Sequence, residues 1–569
     1  MSQRIRFYLV LIASGLIALA WVVAAWSAEK TSSFASTLAP SAQGAAAAID
    51  TYLTAEEAGR RFMGSVLVSR AGQVLFEKGY GYANAEWQIP NDPQTKFRLG
   101  SITKQFTATL VLQLQEQGKL KVTDGICKYL DPCPPTWSLV TVHHLLSHTS
   151  GVPSYTEDPL ARPAMIQPQK LEDIAARFRN KPLEFAPGAQ YHYSNSGYFL
   201  LGLIIEKVTG KAYEKVLAEQ IFEPLGMQDS GYDHTAPILP HRASGYRFAA
   251  NRVDLENADY TDMSWPYSAG ALYSTVRDLE KWNEALYTDK VLPQAALAKM
   301  WTPVLQQYGY GWTIAPATPA FNHRQVGHGG SINGFSTYIG RYPDDELAVI
   351  VLSNNVLVPT EAVARAVATI ALGGKVIRPE ERQAISVSAA DLAKFVGQYQ
   401  LAPTFIISVR VEGDHLTGQA TGQPPLAVYP ESEVDFFART LDAQVTFQKD
   451  ESNAVSGLVL HQNGRDTFGP KIASTVVERK EVPVDAKILK RYVGDYELVA
   501  GFVFSITLED GHLMAQATGQ PKVEIFPESA TEFFYKATDA QISFQVDGND
   551  EAIGLVLHQR GDRTAKKIR

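Results

Sequence analysis

The chain is poor in cysteine, since only two of its 569 residues are cysteines, Cys127 and Cys133. So few cysteines exclude a small scaffold held together by several disulfides, and neither lies in a motif typical of a thiol enzyme. Both belong to a short stretch that is rich in proline at its end. Two alternatives stay open for this pair: a disulfide that closes a small loop, which we favour for an exported protein, and two unpaired thiols.

Dense basic runs are also missing beyond the N-terminus, and the net charge is −8 at pH 7. This balance argues against nucleic acid as a partner. His143, His144 and His148 lie close together, but no H-E-x-x-H motif is present, so no metal centre is predicted. Apolar residues make up 45% of the chain and charged residues 20%, as in an ordinary globular protein with room for about three to four domains.

One long apolar run is present, at the N-terminus. Arg4 and Arg6 precede residues 7–26, which carry no charge. A positive flank before an apolar stretch is typical of an export signal, but this run is also long enough to cross a bilayer. Residues 1–28 are therefore predicted to be a signal peptide or a membrane anchor, with the rest exported to the periplasm or another extracytoplasmic space. Residues 29–48, rich in Ser, Ala and Thr, predict a flexible linker.

Ser101 and Lys104 lie three residues apart at the start of a predicted helix, residues 103–117. Side chains at this spacing share one helix face, so the lysine amine can take the proton of the serine hydroxyl. An S-x-x-K pattern alone is weak, because it occurs by chance in long chains. Two further motifs follow it in order, Tyr193-Ser194-Asn195 and His328-Gly329-Gly330.

A serine, a lysine, a tyrosine and then a basic residue before Gly-Gly, in this order, resemble the penicillin-recognising serine hydrolases. This family includes class C β-lactamases, DD-carboxypeptidases, D-aminopeptidases and esterases of the peptidase S12 type, and the resemblance covers residues 49–375. It implies an acyl-enzyme on Ser101 with Lys104 as the base. It also implies that Tyr193 protonates the leaving group and that Asn195 contacts both the lysine and the substrate.

The third motif departs from the Lys-Thr-Gly that is commoner in the family, because a histidine, His328, fills the basic position. Some D-aminopeptidases, carboxypeptidases and esterases share this histidine, which puts efficient β-lactam hydrolysis in doubt. The resemblance implies an oxyanion hole made by the backbone N–H groups of Ser101 and Ser331, with Gly329 and Gly330 letting the strand approach the substrate. When charged, the histidine is expected to hold a substrate carboxylate and, with the lysine, to lower the pKa of the motif tyrosine.

The catalytic region is predicted to be α+β. A hairpin at residues 64–80 and strands at residues 336–352 enclose a helical middle, which favours one antiparallel sheet covered by helices. The β-lactamase and transpeptidase fold has this arrangement, so the pattern and the resemblance agree. Further helices are predicted at residues 171–179, 196–208, 212–221 and 276–287.

Beyond residue 386 the sequence repeats itself without a gap at an offset of 97 residues. Phe395-Val396-Gly397-Gln398-Tyr399, for example, returns as Tyr492-Val493-Gly494-Asp495-Tyr496. Each copy alternates apolar and polar residues in short runs, joined by turns such as Asp510-Gly511. We predict two small antiparallel β-barrels of about eight strands, at residues 388–474 and 485–569. They resemble the lipocalin-like domains appended to some hydrolases of this family.

Together these features predict an exported serine hydrolase with a D-amino-acid peptidase or amidase activity, like a D-aminopeptidase or DD-carboxypeptidase. The expected substrate is a small peptide, amide or ester, cell-wall peptides included, and no metal or other cofactor is expected. A carboxylesterase or weak β-lactamase on the same scaffold is an alternative, because esters need less protonation of the leaving group. A non-catalytic cell-envelope binding protein is more remote, because the intact motif residues argue against it.

Overall fold

The computed structural model divides into two compact units between Val376 and Ile377. The described residues are 40–158, 160–249, 254–318, 321–378, 381–402, 405–421, 423–439, 443–462, 465–472, 481–499, 502–518, 522–535, 540–558 and 562–568. The predicted signal peptide or anchor lies outside them, as do residues 29–39 of the predicted linker. Within the described ranges no helix has both the length and the apolar character needed to cross a bilayer.

The first unit mixes helices and strands. Its helices are α1 Pro40–Ala58, α2 Thr103–Glu116, α3 Val142–Leu146, α4 Ala161–Ala164, α5 Leu171–Arg179, α6 Asn195–Thr209, α7 Tyr213–Leu217, α8 Glu223–Leu225, α9 Tyr267–Gly270, α10 Val276–Ala285, α11 Gln294–Met300 and α12 Thr360–Ala371. Its strands are β1 Gly64–Arg70, β2 Gln73–Tyr80, β3 Tyr82–Asn84, β4 Ile89–Pro90, β5 Phe97–Arg98, β6 Gly231–Tyr232, β7 Tyr246–Phe248, β8 Leu255–Asn257, β9 Leu272–Ser274, β10 Thr313–Ala315, β11 Gln325–Ile332, β12 Phe335–Tyr342 and β13 Leu347–Ser353.

Six strands form a central antiparallel sheet in the order β10-β11-β12-β13-β1-β2, so the first and last strands of the unit lie side by side. The central strand β13 is buried along its whole length and apolar except for its last residue, Ser353, as expected for a strand covered on both faces. Helices α1 and α12 pack on one face, and the helical middle of the unit packs on the other. The predicted α+β fold, an antiparallel sheet covered by helices, is confirmed.

Several local predictions are also confirmed. The hairpin β1–β2 turns at Ala71 and Gly72, whose φ angles of 49° and 74° suit a two-residue hairpin loop. The predicted helices at residues 103–117 and 196–208 are α2 and α6. The helix predicted at residues 212–221 is split into α7 and a π-helical turn, Ala218–Phe222. Of the two alternatives for the cysteines, the structure shows the disulfide, with Cα atoms 5.3 Å apart.

The flexible linker predicted at residues 29–48 is wrong for residues 40–48, because they form the first half of α1. Alanine occupies positions 45–48 and is the strongest helix former. Directly after them, Ile49 and Leu53 are fully buried and attach the helix to the sheet core. Helix propensity and this packing together order a segment that shows no apolar periodicity of its own.

Each repeat closes into an eight-stranded antiparallel barrel, which confirms the predicted pair. The first follows α13 Ala389–Leu392 and consists of β14 Gly397–Ala402, β15 Phe405–Glu412, β16 His415–Ala420, β17 Leu426–Pro430, β18 Asp435–Ala438, β19 Ala443–Lys449, β20 Val455–Gln462 and β21 Arg465–Ile472. The second follows α14 Ala486–Arg491 and consists of β22 Gly494–Val499, β23 Phe502–Glu509, β24 His512–Ala517, β25 Val523–Pro527, β26 Glu532–Phe534, β27 Gln541–Val546, β28 Ala552–His558 and β29 Asp562–Lys567.

The repeated opening motif has the same packing role in both barrels. The Tyr399 hydroxyl donates to the carbonyl oxygen of Phe395 at 2.7 Å, and the Phe395 ring packs 4.5 Å from that of Phe447 in the core. Gly397 has a φ of 153°, a conformation that glycine adopts most readily. The residues 97 positions later make the same contacts in the second barrel. The motif is therefore explained by barrel packing.

Candidate active site

Ser101 lies in the 3-10 turn Gly100–Ile102, directly before α2. Strand β10 pairs with β11 as far as Gly327, and the turn packs against the remaining part of β11. Gly100 has a φ of 54°, and a Cβ atom there would lie 2.8 Å from the backbone nitrogen of Ser331. Glycine therefore allows the turn that contains Ser101 to approach the strand closely.

Lys104 lies one helical turn after Ser101 and is fully buried. Its Nζ lies 3.0 Å from Ser101 Oγ, 2.9 Å from Asn195 Oδ1 and 2.8 Å from the carbonyl oxygen of Ala269. Burial holds the pKa of Lys104 well below its usual 10.5. A neutral amine has two N–H groups and one lone pair, and the amide and carbonyl oxygens can only accept. In the neutral form of the amine, the lone pair is therefore left for the Ser101 hydroxyl, which is the arrangement that a general base requires.

Asn195, the first residue of α6, is oriented by two hydrogen bonds to Ser154 and Thr156. Its backbone N–H donates to Ser154 Oγ at 3.1 Å, and its Nδ2 donates to Thr156 Oγ1 at 3.0 Å. With the amide nitrogen engaged in this way, the amide oxygen faces Lys104. The second motif is thus brought to the first across 91 residues of sequence.

Tyr193 lies beside both residues of the first motif. Lys104 Nζ is 4.8 Å from the centre of the tyrosine ring. Burial raises the pKa of Tyr193, although an interaction with the Ser101 side chain lowers it in part. The lowered pKa expected from flanking cations is therefore wrong, because burial disfavours the phenolate. A neutral phenol suits a proton donor.

His328 is buried, and both of its ring nitrogens face protein atoms. Nε2 lies 2.9 Å from the hydroxyl of Tyr308, and Nδ1 lies 2.6 Å from the carbonyl oxygen of Gly329. The His328 ring centre is 6.3 Å from that of Tyr193. To make the expected contact with His328, a substrate carboxylate would have to replace one of these partners. The structure therefore does not favour this contact.

The two glycines of the third motif are not equivalent. A Cβ atom on Gly330 would lie 1.9 Å from the carbonyl oxygen of Leu99, whereas one on Gly329 would make an ordinary 3.5 Å contact with Tyr338. Thr337 Oγ1 also donates to the same Leu99 carbonyl at 2.7 Å. Of these two glycines, only Gly330 is therefore required for β11 to lie against the turn that contains Ser101, with Ser331 next to it.

Acidic side chains lie beside the second motif. His192 Nδ1 is 2.5 Å from a Glu184 oxygen, and its Nε2 is 3.3 Å from a Glu157 oxygen. Burial lowers the pKa of His192, but the two carboxylates outweigh burial and raise it. Among the described residues these three form the group whose ligand atoms, all within 4.8 Å of one another, could hold a metal ion. The imidazole already lies between the two carboxylates.

This geometry agrees with a family match. Residues 46–374 match the protein family described as Beta-lactamase. The chain belongs to the β-lactamase and penicillin-binding-protein family of serine hydrolases. The resemblance inferred from the three motifs is confirmed, and so is the expectation of an enzyme. Residues 381–471 and 478–568 each match DUF3471, described as a domain of unknown function.

Relatives of this hydrolase include two penicillin-binding proteins of Bacillus subtilis. One is 30% identical over 429 residues, which is 71% of this chain and 94% of that protein. The other, PbpX, is 33% identical over 276 residues, 48% of this chain and 68% of that protein. Among solved structures, the octameric penicillin-binding protein homologue from Pyrococcus abyssi has a TM-score of 0.54 and 26% identity, covering 82% of this chain and 97% of that one.

Two residues that contact the candidate active site of this hydrolase were not predicted as functional. The carbonyl oxygen of Ala269 contacts Lys104 Nζ, although none of the three motifs includes this residue. The hydroxyl of Tyr308 contacts His328, and this tyrosine also lies outside the three motifs. A backbone carbonyl leaves no signal in the sequence. The tyrosine lies in a Tyr-Gly-Tyr-Gly pattern that marks its segment but no chemical role.

Proposed function

We propose that Ser101 is the acylated nucleophile and Lys104 its base, and the lone-pair arrangement at Lys104 Nζ carries this proposal. Ser101 Oγ attacks the substrate carbonyl carbon while its proton passes to Lys104 Nζ. The bond to the leaving group then breaks, and the leaving group takes a proton from Tyr193, which the lysine ammonium restores. Water hydrolyses the acyl-enzyme by the reverse proton path.

The developing oxyanion is proposed to lie between the backbone N–H groups of Ser101 and Ser331. The close approach of their two segments supports this, since Gly100 and Gly330 leave no space for a side chain between them. Such donors stabilise charge where it appears in the transition state, and each contributes about 10²–10³-fold to kcat.

For the substrate we propose D-aminoacyl amides and peptides with a free amino group, cleaved outside the cytoplasm. The D-configuration and the export rest on the motif resemblance and on residues 1–28. Charge supports the amino group: Glu157 and Glu184, which contact His192 next to Tyr193 in the sequence, retain 55% and 33% exposure and complement an ammonium group. The engaged nitrogens of His328 speak against a carboxylate anchor. An aminopeptidase-type activity is thus favoured over a DD-carboxypeptidase.

A carboxylesterase on the same site is the second candidate. It is favoured by Tyr193, because burial raises the pKa of this tyrosine and so makes it a weaker acid. A weaker acid slows amide cleavage more than ester cleavage, since amine leaving groups depend more strongly on protonation.

A substrate panel tests the proposal. The panel compares D-alanyl p-nitroanilide, its L-enantiomer, its N-acetylated form, a peptide ending in D-Ala-D-Ala, nitrocefin and short p-nitrophenyl esters. We expect the D-alanyl amide with a free amine to have the highest kcat/KM among the amides, with a clear loss on acetylation. Preference for the acetylated or carboxylate-terminated substrates would contradict the amine proposal, and activity on esters alone would favour the carboxylesterase.

A further inference from the structure

His148 contacts three consecutive residues around the tyrosine of the second motif. Its carbonyl oxygen accepts a hydrogen bond from the N–H of His192 at 2.9 Å, and its Nδ1 accepts one from the N–H of Ser194 at 3.1 Å. Between these two, the rings of His148 and Tyr193 lie 4.2 Å apart, centre to centre, at an angle of 34°. A single residue therefore holds Tyr193 from both sides of its backbone and along its ring.

The position of His148 is itself tightly determined. Its φ of 57° lies in the left-handed region, which is uncommon for a residue other than glycine and persists only where the surroundings impose it. Its side chain is 1% exposed and also packs against the rings of Tyr308 and Tyr198, at 4.7 and 5.1 Å. The imidazole is therefore a rigid support.

The hydrogen bond from Ser194 also determines the protonation state of His148. Accepting an N–H requires a lone pair on Nδ1, so the ring proton of the neutral imidazole is on Nε2. Burial, reinforced by the nearby Lys104, lowers the pKa of His148 well below its usual value. Nε2 has no hydrogen-bond partner among the described residues. This histidine is thus built to stay neutral and is not part of a proton path.

We propose that His148 is the positioning residue for Tyr193. Its neutral imidazole sets the position and tilt of the phenol, so that the tyrosine hydroxyl reaches Ser101 and the leaving group together. The inference rests on the proton-donor role proposed above for Tyr193. A donor displaced by even a small distance loses its catalytic effect, because proton transfer needs hydrogen-bond reach.

Two substitutions separate the contacts of His148. His148→Asn keeps an acceptor near the place of Nδ1 and tolerates left-handed backbone, but it removes the ring. His148→Phe keeps the ring and removes the acceptor. His143→Asn is the matched control, because His143 lies in the same segment and its Nδ1 contacts the hydroxyl of Tyr310, at 2.7 Å. Tyr193→Phe shows the effect of losing the proton donor itself.

The measured quantity is the ratio of kcat/KM for an amide, D-alanyl p-nitroanilide, to that for a p-nitrophenyl ester. The p-nitrophenolate leaving group needs no proton, so loss of positioning should affect the amide alone. We expect both His148 variants to lower the ratio, by about 10-fold or more in His148→Phe, in the same direction as Tyr193→Phe. His148→Asn should lose less, because the Ser194 N–H keeps a partner. His143→Asn should leave the ratio unchanged.

A purely structural role gives a different result. Equal losses on amide and ester, or a ratio no lower than in His143→Asn, would overturn the inference. If His148→Phe does not fold, the ratio in His148→Asn decides alone. A wild-type ratio in Tyr193→Phe would show that the proposed role of Tyr193 is wrong, and the inference would fall with it. A lowered ratio in Tyr193→Phe with unchanged ratios in both His148 variants would overturn the inference alone.

Discussion

Lys104 has no solvent exposure, yet its Nζ has three oxygen atoms at hydrogen-bond distance. In the proposed mechanism it accepts the Ser101 proton only as the neutral amine, and burial lowers its pKa from 10.5. The acylation rate is therefore predicted to rise with pH through that lowered pKa and to level off above it, as the base form becomes predominant. Acylation rates measured over a pH series with a neutral activated ester test this ascending limb of the pH–rate profile.

Replacement of the lysine gives the matching control. Lys104→Met should lower the acylation rate by about 10²–10⁴-fold and remove the ascending limb. A wild-type rate that is independent of pH, or a variant that keeps the limb, would show that another group is the base.

The glycines after His328 provide a second prediction for single residues. Gly330→Ala should lower kcat by about 10²–10³-fold, because its Cβ would push β11 from the Leu99 carbonyl and displace the Ser331 N–H. Gly329→Ala adds the same methyl group where it makes an ordinary contact, so its loss should be much smaller. Steady-state kinetics of both variants provide the comparison. Equal losses in the two variants would mean that catalysis does not depend on the close approach of β11 at Gly330.

Among the elements, α1 is the one whose contribution is least expected from its composition. Ile49→Ala removes a fully buried side chain between this helix and the sheet, and should lower the free energy of unfolding by about 2–4 kcal/mol. Ala48→Ser, at the exposed neighbouring position, should cost only a few tenths of a kcal/mol. Thermal and urea unfolding of both variants test this. Equal stabilities would show that the segment is a tether after all.

Elements with local signals were predictable from the sequence. The β1–β2 hairpin shows its turn at Gly72, α2 shows its apolar residues, and the barrels show their repeat. The helix α1 was not predictable, because an alanine run without apolar periodicity does not reveal that Ile49 packs against strands and a helix some 300 residues later. A helix there depends on tertiary packing as much as on propensity.

The residues of the site were likewise predictable only where their signal is local in the sequence. Ser101 and Lys104 were predictable because three residues on a helix determine their separation. The carbonyl of Ala269 reaches the lysine from 165 residues away, and no residue type encodes such a contact. His148 was noticed only as one of several histidines, since its hold on Tyr193 depends on the fold.

At the scale of the whole molecule, every residue of the site lies in the first unit, and the repeated barrels form the second. A chain that ends at Gly374 is therefore predicted to fold and to be acylated at Ser101 at a rate close to that of the full chain. Circular dichroism checks the fold, and labelling with a fluorophosphonate measures the rate. If the shortened chain folds but is not labelled, the barrels contribute to the site.

Mass spectrometry of the full chain after incubation with an active-site acylator is the direct test of acyl-enzyme formation at Ser101. We predict a single adduct on the tryptic peptide that spans residues 99–104, and no adduct at that rate in Ser101→Ala. An adduct that forms in Ser101→Ala at the wild-type rate, or one located on another peptide, would show that Ser101 is not the nucleophile.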